Sequence, residues 1–148
     1  MNARVVTGFA GIVFLALGVM GLVHPLWVMD FVGYSTSPAP SPLVLGEVRA
    51  IYGGLFAALG LFTLVAAANP GANRGALLLV GLLWLGVCAG RLAGAYLDGD
   101  PGLPGWIAVG FELIFGLLLA VIALVAKPRA EREDEEPIFP LAGGPTEL

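Results

Sequence analysis

Apolar residues in this chain do not alternate with polar ones; they run together in four long blocks separated by short polar breaks. The first covers residues 5–23 and stops at His24-Pro25. The second opens on Ser41 as N-cap with Pro42 in the first turn, covers 43–68, and stops at Asn69-Pro70-Gly71. The third covers 75–97, between Arg74 and the turn Asp98-Gly99-Asp100-Pro101-Gly102. The fourth covers 103–126, with Trp106 near its start and Lys127-Pro128-Arg129 after its end. Each block approaches or exceeds the ~20 residues a helix needs to cross a hydrocarbon core. The pattern predicts an all-α protein: a bundle of four transmembrane helices over residues 1–126. The first block is longer than the ~7–15 apolar residues of a signal peptide and lacks a small-x-small cleavage site, so it reads as a retained helix.

Two stretches fall outside the blocks. Residues 24–41 carry Trp27, Met29, Phe31 and Tyr34 and then prolines at 38, 40 and 42, which predicts an interfacial segment followed by a stiff extended connection. Residues 127–148 hold five of the eleven acids within 131–136, together with prolines and glycines. They predict a disordered acidic tail.

Composition agrees with a membrane protein: 58% of residues are hydrophobic and only 12% charged. The net charge of −4 comes mostly from the tail. The single cysteine, Cys88, allows no intramolecular disulfide and no cysteine metal cluster, and reads as a buried structural thiol. No basic patch points to nucleic acid, and no glycine loop is followed by Lys-Ser/Thr for phosphate. Arg4, Arg74, Lys127, Arg129 and Arg132 all fall on one side of a four-span topology. The positive-inside rule therefore puts both termini in the cytoplasm, with 24–41 and the 98–102 turn outside.

Against that background the intramembrane charges stand out: Glu47 and Arg49 in the second block, Arg91 in the third, Glu112 in the fourth. Ionisable groups at this depth are costly and normally face a bundle interior or a cavity. At about 1.5 Å per residue all four sit roughly 6 to 14 Å from the outer ends of their helices, in one layer. Helical phase puts Arg49, Tyr52, Gly53, Phe56 and Gly60 on one inward stripe. Trp84, Cys88, Arg91, Gly94, Ala95 and Asp98 form another, and Gly105, Ala108, Val109, Glu112, Phe115, Gly116 and Leu119 a third. Glu47 lies about 200° from Arg49 and reaches a different neighbour or the outer surface. A Gly86-x-x-x-Gly90-x-x-x-Gly94 ladder predicts close helix packing, within the monomer in preference to a dimer. The first helix, with no charge after Arg4, reads as scaffold.

The run Glu47-Val48-Arg49-Ala50-Ile51-Tyr52-Gly53-Gly54, followed by Gly90-Arg91, Asp98-Gly99 and Glu112, resembles a family of small bacterial four-helix membrane proteins defined only as a domain of unknown function. More distantly the layout is similar to DoxX-like membrane proteins, some of which are linked to quinone-coupled oxidation. The resemblance implies the fold, a bacterial inner membrane and the same site residues, but no reaction.

The site set is therefore Glu47, Arg49, Tyr52, Arg91, Asp98 and Glu112. The first reading is a buried ion-pair network that fixes helix packing, with Tyr52 or Asp98 satisfying leftover groups. The alternatives are a lipid- or quinone-binding pocket, or an accessory subunit docked in a larger membrane complex or homo-oligomer. No cofactor is assigned. His24, the one histidine, stands outside the charged layer and gives no basis for a triad or a histidine metal site. Asp98, Asp100 and Glu47 are the residue types that gather a divalent cation at the outer surface, but Asp98-Gly-Asp100-Pro-Gly is first a tight turn.

Overall fold

A computed structural model describes residues 2–34 and 38–126. The predicted acidic tail, 127–148, lies outside these residues, as does part of the 24–41 connection. The chain forms α1 (Ala3–Val23), α2 (Pro25–Phe31), α3 (Pro42–Ala68), α4 (Arg74–Asp98) and α5 (Gly102–Val125). Four of these, α1, α3, α4 and α5, are long and apolar enough to cross a membrane.

Local sequence explains the ends. The Asn2 side chain accepts a hydrogen bond from the Arg4 N–H and caps α1. Pro25 occupies the first turn of α2, where a missing N–H costs nothing. Ser41 and Pro42 do the same work for α3, as the spacing predicts. Gly99 and Gly102, both at positive φ, turn the chain from α4 into α5. Asp100 stiffens that turn: its Oδ1 accepts from the Gly102 N–H at 3.0 Å and from the Trp106 indole at 2.9 Å.

The helices associate as two close pairs, α1 with α3 and α4 with α5. Lipid tails are as apolar as leucine, so association relies on close packing, and small residues supply it. In the first pair Gly18 faces the Ala57 backbone, Gly21 the Tyr52 carbonyl and Gly60 the Leu15 backbone, with no room for a Cβ at any of them. In the second pair a Cβ on Gly81 would stand 2.9 Å from backbone atoms of Gly116 and Ala120. The predicted Gly86/Gly90 ladder is not used this way. Both glycines look away from the bundle into open space, because the α5 contact runs instead along Leu77, Gly81, Trp84 and Cys88.

An aromatic cluster joins the two pairs. Phe14 of α1 packs on Trp84 of α4 at 4.8 Å between ring centroids and on Phe115 of α5 at 5.0 Å, and Phe56 of α3 meets Trp84 edge-on at 5.0 Å. Such pairs contribute about 0.5–1.5 kcal/mol each beyond area burial.

One departure from a regular α-helix matters for the site. Over Arg49–Leu55 the hydrogen bonding of α3 widens to π-helical turns, where the sequence pattern predicts uninterrupted α-helix. Gly53-Gly54 weakens the local helix preference, and the close contacts of Gly21 with Tyr52 and of Gly53 with Leu22 lie at the same level.

Candidate functional site

Towards the end of the bundle that carries α2, residues of both helix pairs line a cavity of about 280 Å³. Its wall is almost wholly apolar and draws on all five helices, including Leu17, Val28, Phe56, Ile107 and Phe111. Tyr52, Trp84, Arg91 and Glu112 are the lining residues with hydrogen-bonding side chains outside α2. The short helix α2 closes one side. Val28 and Met29 are buried against Val48, which fixes the helix, while Trp27 stacks on Phe31 at 5.4 Å and both border the cavity.

Arg91 and Glu112 form an ion pair, the guanidinium Nε donating to Glu112 Oε1 at 2.5 Å. It is the one salt bridge among the described residues. Its two halves differ in setting. Glu112 keeps 3% of its side chain exposed, whereas Arg91 keeps 34% and also borders a second groove lined by Gly94, Asp98, Asp100 and Gly105. Glu112 Oε2 is buried with no hydrogen-bond partner, and so is the Trp84 indole N–H. Arg91 thus stands between an outer groove and an apolar cavity, with the carboxylate on the cavity side.

Only part of the predicted charge layer assembles. Arg49 is exposed and donates from Nε to the Leu22 carbonyl at 3.3 Å. It covers a carbonyl in the last turn of α1, where a cation also complements the helix dipole. Glu47 is exposed in a separate groove with Met29, Tyr34 and Val48. Tyr52 lies between that groove and the cavity, its hydroxyl near both Tyr34 and Arg91. Asp98 shares the outer groove with Arg91 but makes no salt bridge with it. Since Glu47 and the Asp98-Asp100 turn occupy different grooves, they do not form a common cation site.

Cys88 is buried and its thiol faces the Val109 carbonyl at 3.8 Å, a contact between α4 and α5. Trp84 is the polar group the sequence reading left among packing residues. Its place on the same stripe as Arg91 was visible, but the lack of an indole partner was not.

A family model described as Domain of unknown function (DUF4345) matches residues 2–123. This chain belongs to that family. The match takes in the four apolar helices but for the last two residues of α5, and every residue of the ion pair and cavity, and leaves the acidic tail outside. No curated protein and no solved structure matches the chain.

Proposed function

We propose that this multi-pass membrane protein binds an amphiphilic lipid or quinone in the cavity among its helices, with Arg91 and Glu112 addressing the polar head. The observation that carries the reading is Glu112: one oxygen on Arg91, the other buried and unpartnered, beside an apolar cavity open to a molecule near the small end of the ~300–1000 Å³ range of ligand pockets. A strut that served packing alone has no use for the free oxygen or the space, since an unsatisfied buried acceptor costs ~1–3 kcal/mol. The pair still ties α4 to α5, so the structural reading survives as part of the binding one. The proposed setting is the bacterial inner membrane with both termini cytoplasmic, supported by the placement of Arg4 and Arg74.

The experiment is lipid and quinone extraction of purified wild type beside Ala108→Phe, with Ala108→Leu as a milder filling. Ala108 lines the cavity without touching the ion pair's chemistry. Wild type should carry a molecule that the filled variants lose while they stay folded. Equal extracts from wild type and folded variants would leave only the structural pair.

A further inference from the structure

We infer that the head group accepted by this cavity is a neutral hydroxyl, donated to Glu112 Oε2. The inference rests on the cavity reading above and narrows its ligand by donor and acceptor chemistry. A carboxylate paired with an arginine offers only acceptor sites, and an indole nitrogen offers only a donor. Two residues that line the cavity carry a buried polar atom without a protein partner, and these are one of each, Glu112 Oε2 and Trp84 Nε1, on residues each 3% exposed.

A ligand that completes this site must give a hydrogen bond to Glu112. A carbonyl, ether or ester oxygen cannot, and would leave the carboxylate oxygen as it is. An anionic head finds the remaining N–H groups of Arg91 but stands beside the Glu112 carboxylate, a like charge. A cationic head has the carboxylate to approach but brings a second positive charge beside Arg91. The Arg91–Glu112 pair is itself neutral, so either charged head adds an uncompensated charge in a wall that is nearly all hydrocarbon. A neutral hydroxyl donates without that cost.

Depth orders the ligand further. Glu112 stands ten residues inside the start of α5, about 15 Å, and Trp84 fourteen residues inside the end of α4, about 21 Å. The indole N–H donates to a second oxygen of the same ligand, an ester or phenolic one, farther from the α2 end of the bundle than the hydroxyl. The tail of such a ligand lies against the apolar wall that includes Leu17, Ile107 and Phe111. The class is a neutral amphiphile with a free hydroxyl at its head and a second oxygen along its body, such as a monoacylglycerol or a hydroquinone.

The test uses full-length protein in micelles and a bromine-tagged medium-chain alcohol, with the same chain as its methyl ether, carboxylate and trimethylammonium. Binding is read as saturable quenching of tryptophan fluorescence, since Trp27 and Trp84 both border the cavity. The alcohol should bind about tenfold or more tighter than the ether, the range of a hydrogen bond to a charged group. In the double variant Arg91→Met with Glu112→Leu, which exchanges the pair for apolar groups of similar size, the alcohol and ether should bind alike. Equal binding of alcohol and ether to wild type, or tightest binding of the carboxylate or the ammonium, would overturn the hydroxyl inference and leave the cavity reading intact. Absence of saturable binding by every chain would overturn both. If the double variant does not fold, Glu112→Gln serves, where the alcohol's advantage should fall because an uncharged acceptor replaces the carboxylate.

Discussion

Arg91 gives Glu112 a single hydrogen bond through Nε, and the pair is lopsided: the acid is enclosed while the base reaches an outer groove beside Asp98. The lopsidedness decides what each deletion does. Arg91→Ala strands a buried carboxylate with no partner on either oxygen and should cost ~3 kcal/mol or more. Glu112→Ala leaves an arginine that can turn into the groove towards Asp98, and should cost less. The double variant should lose less than the sum, because neither charge is then stranded. Thermal unfolding of the four proteins in one detergent measures all three relations. Equal single losses that add simply would mean that the two groups act independently.

Much of this was legible because the signal is chemical and local. Uninterrupted apolar blocks fix four spans, and Ser41-Pro42 fixes where α3 begins. Single charges on apolar stripes identify Arg91 and Glu112, whose helices are joined by the short turn around Gly99 and therefore lie side by side. Arg49 was not legible, since its partner is a backbone carbonyl of α1, and sequence carries no signal for that. Nor was the π-helical stretch, which depends on how Gly21 and Gly53 meet across two helices. The short α2 was read as interfacial from its aromatic residues, yet its part in walling the cavity needs the bundle to be assembled first.

Glycines with the same local sequence character should respond oppositely to alanine. Gly18→Ala pushes a methyl into the Ala57 backbone and should destabilise by ~1–3 kcal/mol, the usual range for overpacking. Gly90 faces open space on a helix, so Gly90→Ala should be neutral or stabilise by up to about 1 kcal/mol. Thermal unfolding decides this too. A large loss at Gly90 would show that a partner covers that face in the preparation.

Trp84 should separate shape from hydrogen bonding. Trp84→Ala removes the ring that Phe14, Phe56 and Phe111 share, and should cost ~3–5 kcal/mol. Trp84→Phe keeps an aromatic contact and removes an N–H that has no protein partner, so it should cost far less than the alanine change. A phenylalanine variant as unstable as the alanine one would mean that the indole N–H has a partner in the folded protein.

Orientation is testable through the loops. Arg74 opens α4 and Arg4 lies in the first turn of α1, at the same end of the bundle because α1 and α3 cross it in opposite directions. The 98–102 turn and α2 share the other end and contain Asp30, Asp98 and Asp100 but no arginine or lysine. Short loops rich in arginine stay on the cytoplasmic side. A phosphatase or fluorescent-protein reporter fused at Ala72 should therefore report cytoplasm, and one fused at Gly99 the opposite face. If the charges set the orientation, moving them should weaken it: Arg74→Gln combined with Gly99→Lys should yield a mixed population of reporters. A uniform population with unchanged orientation would mean that the apolar spans, and not the loop charges, determine how this bundle inserts.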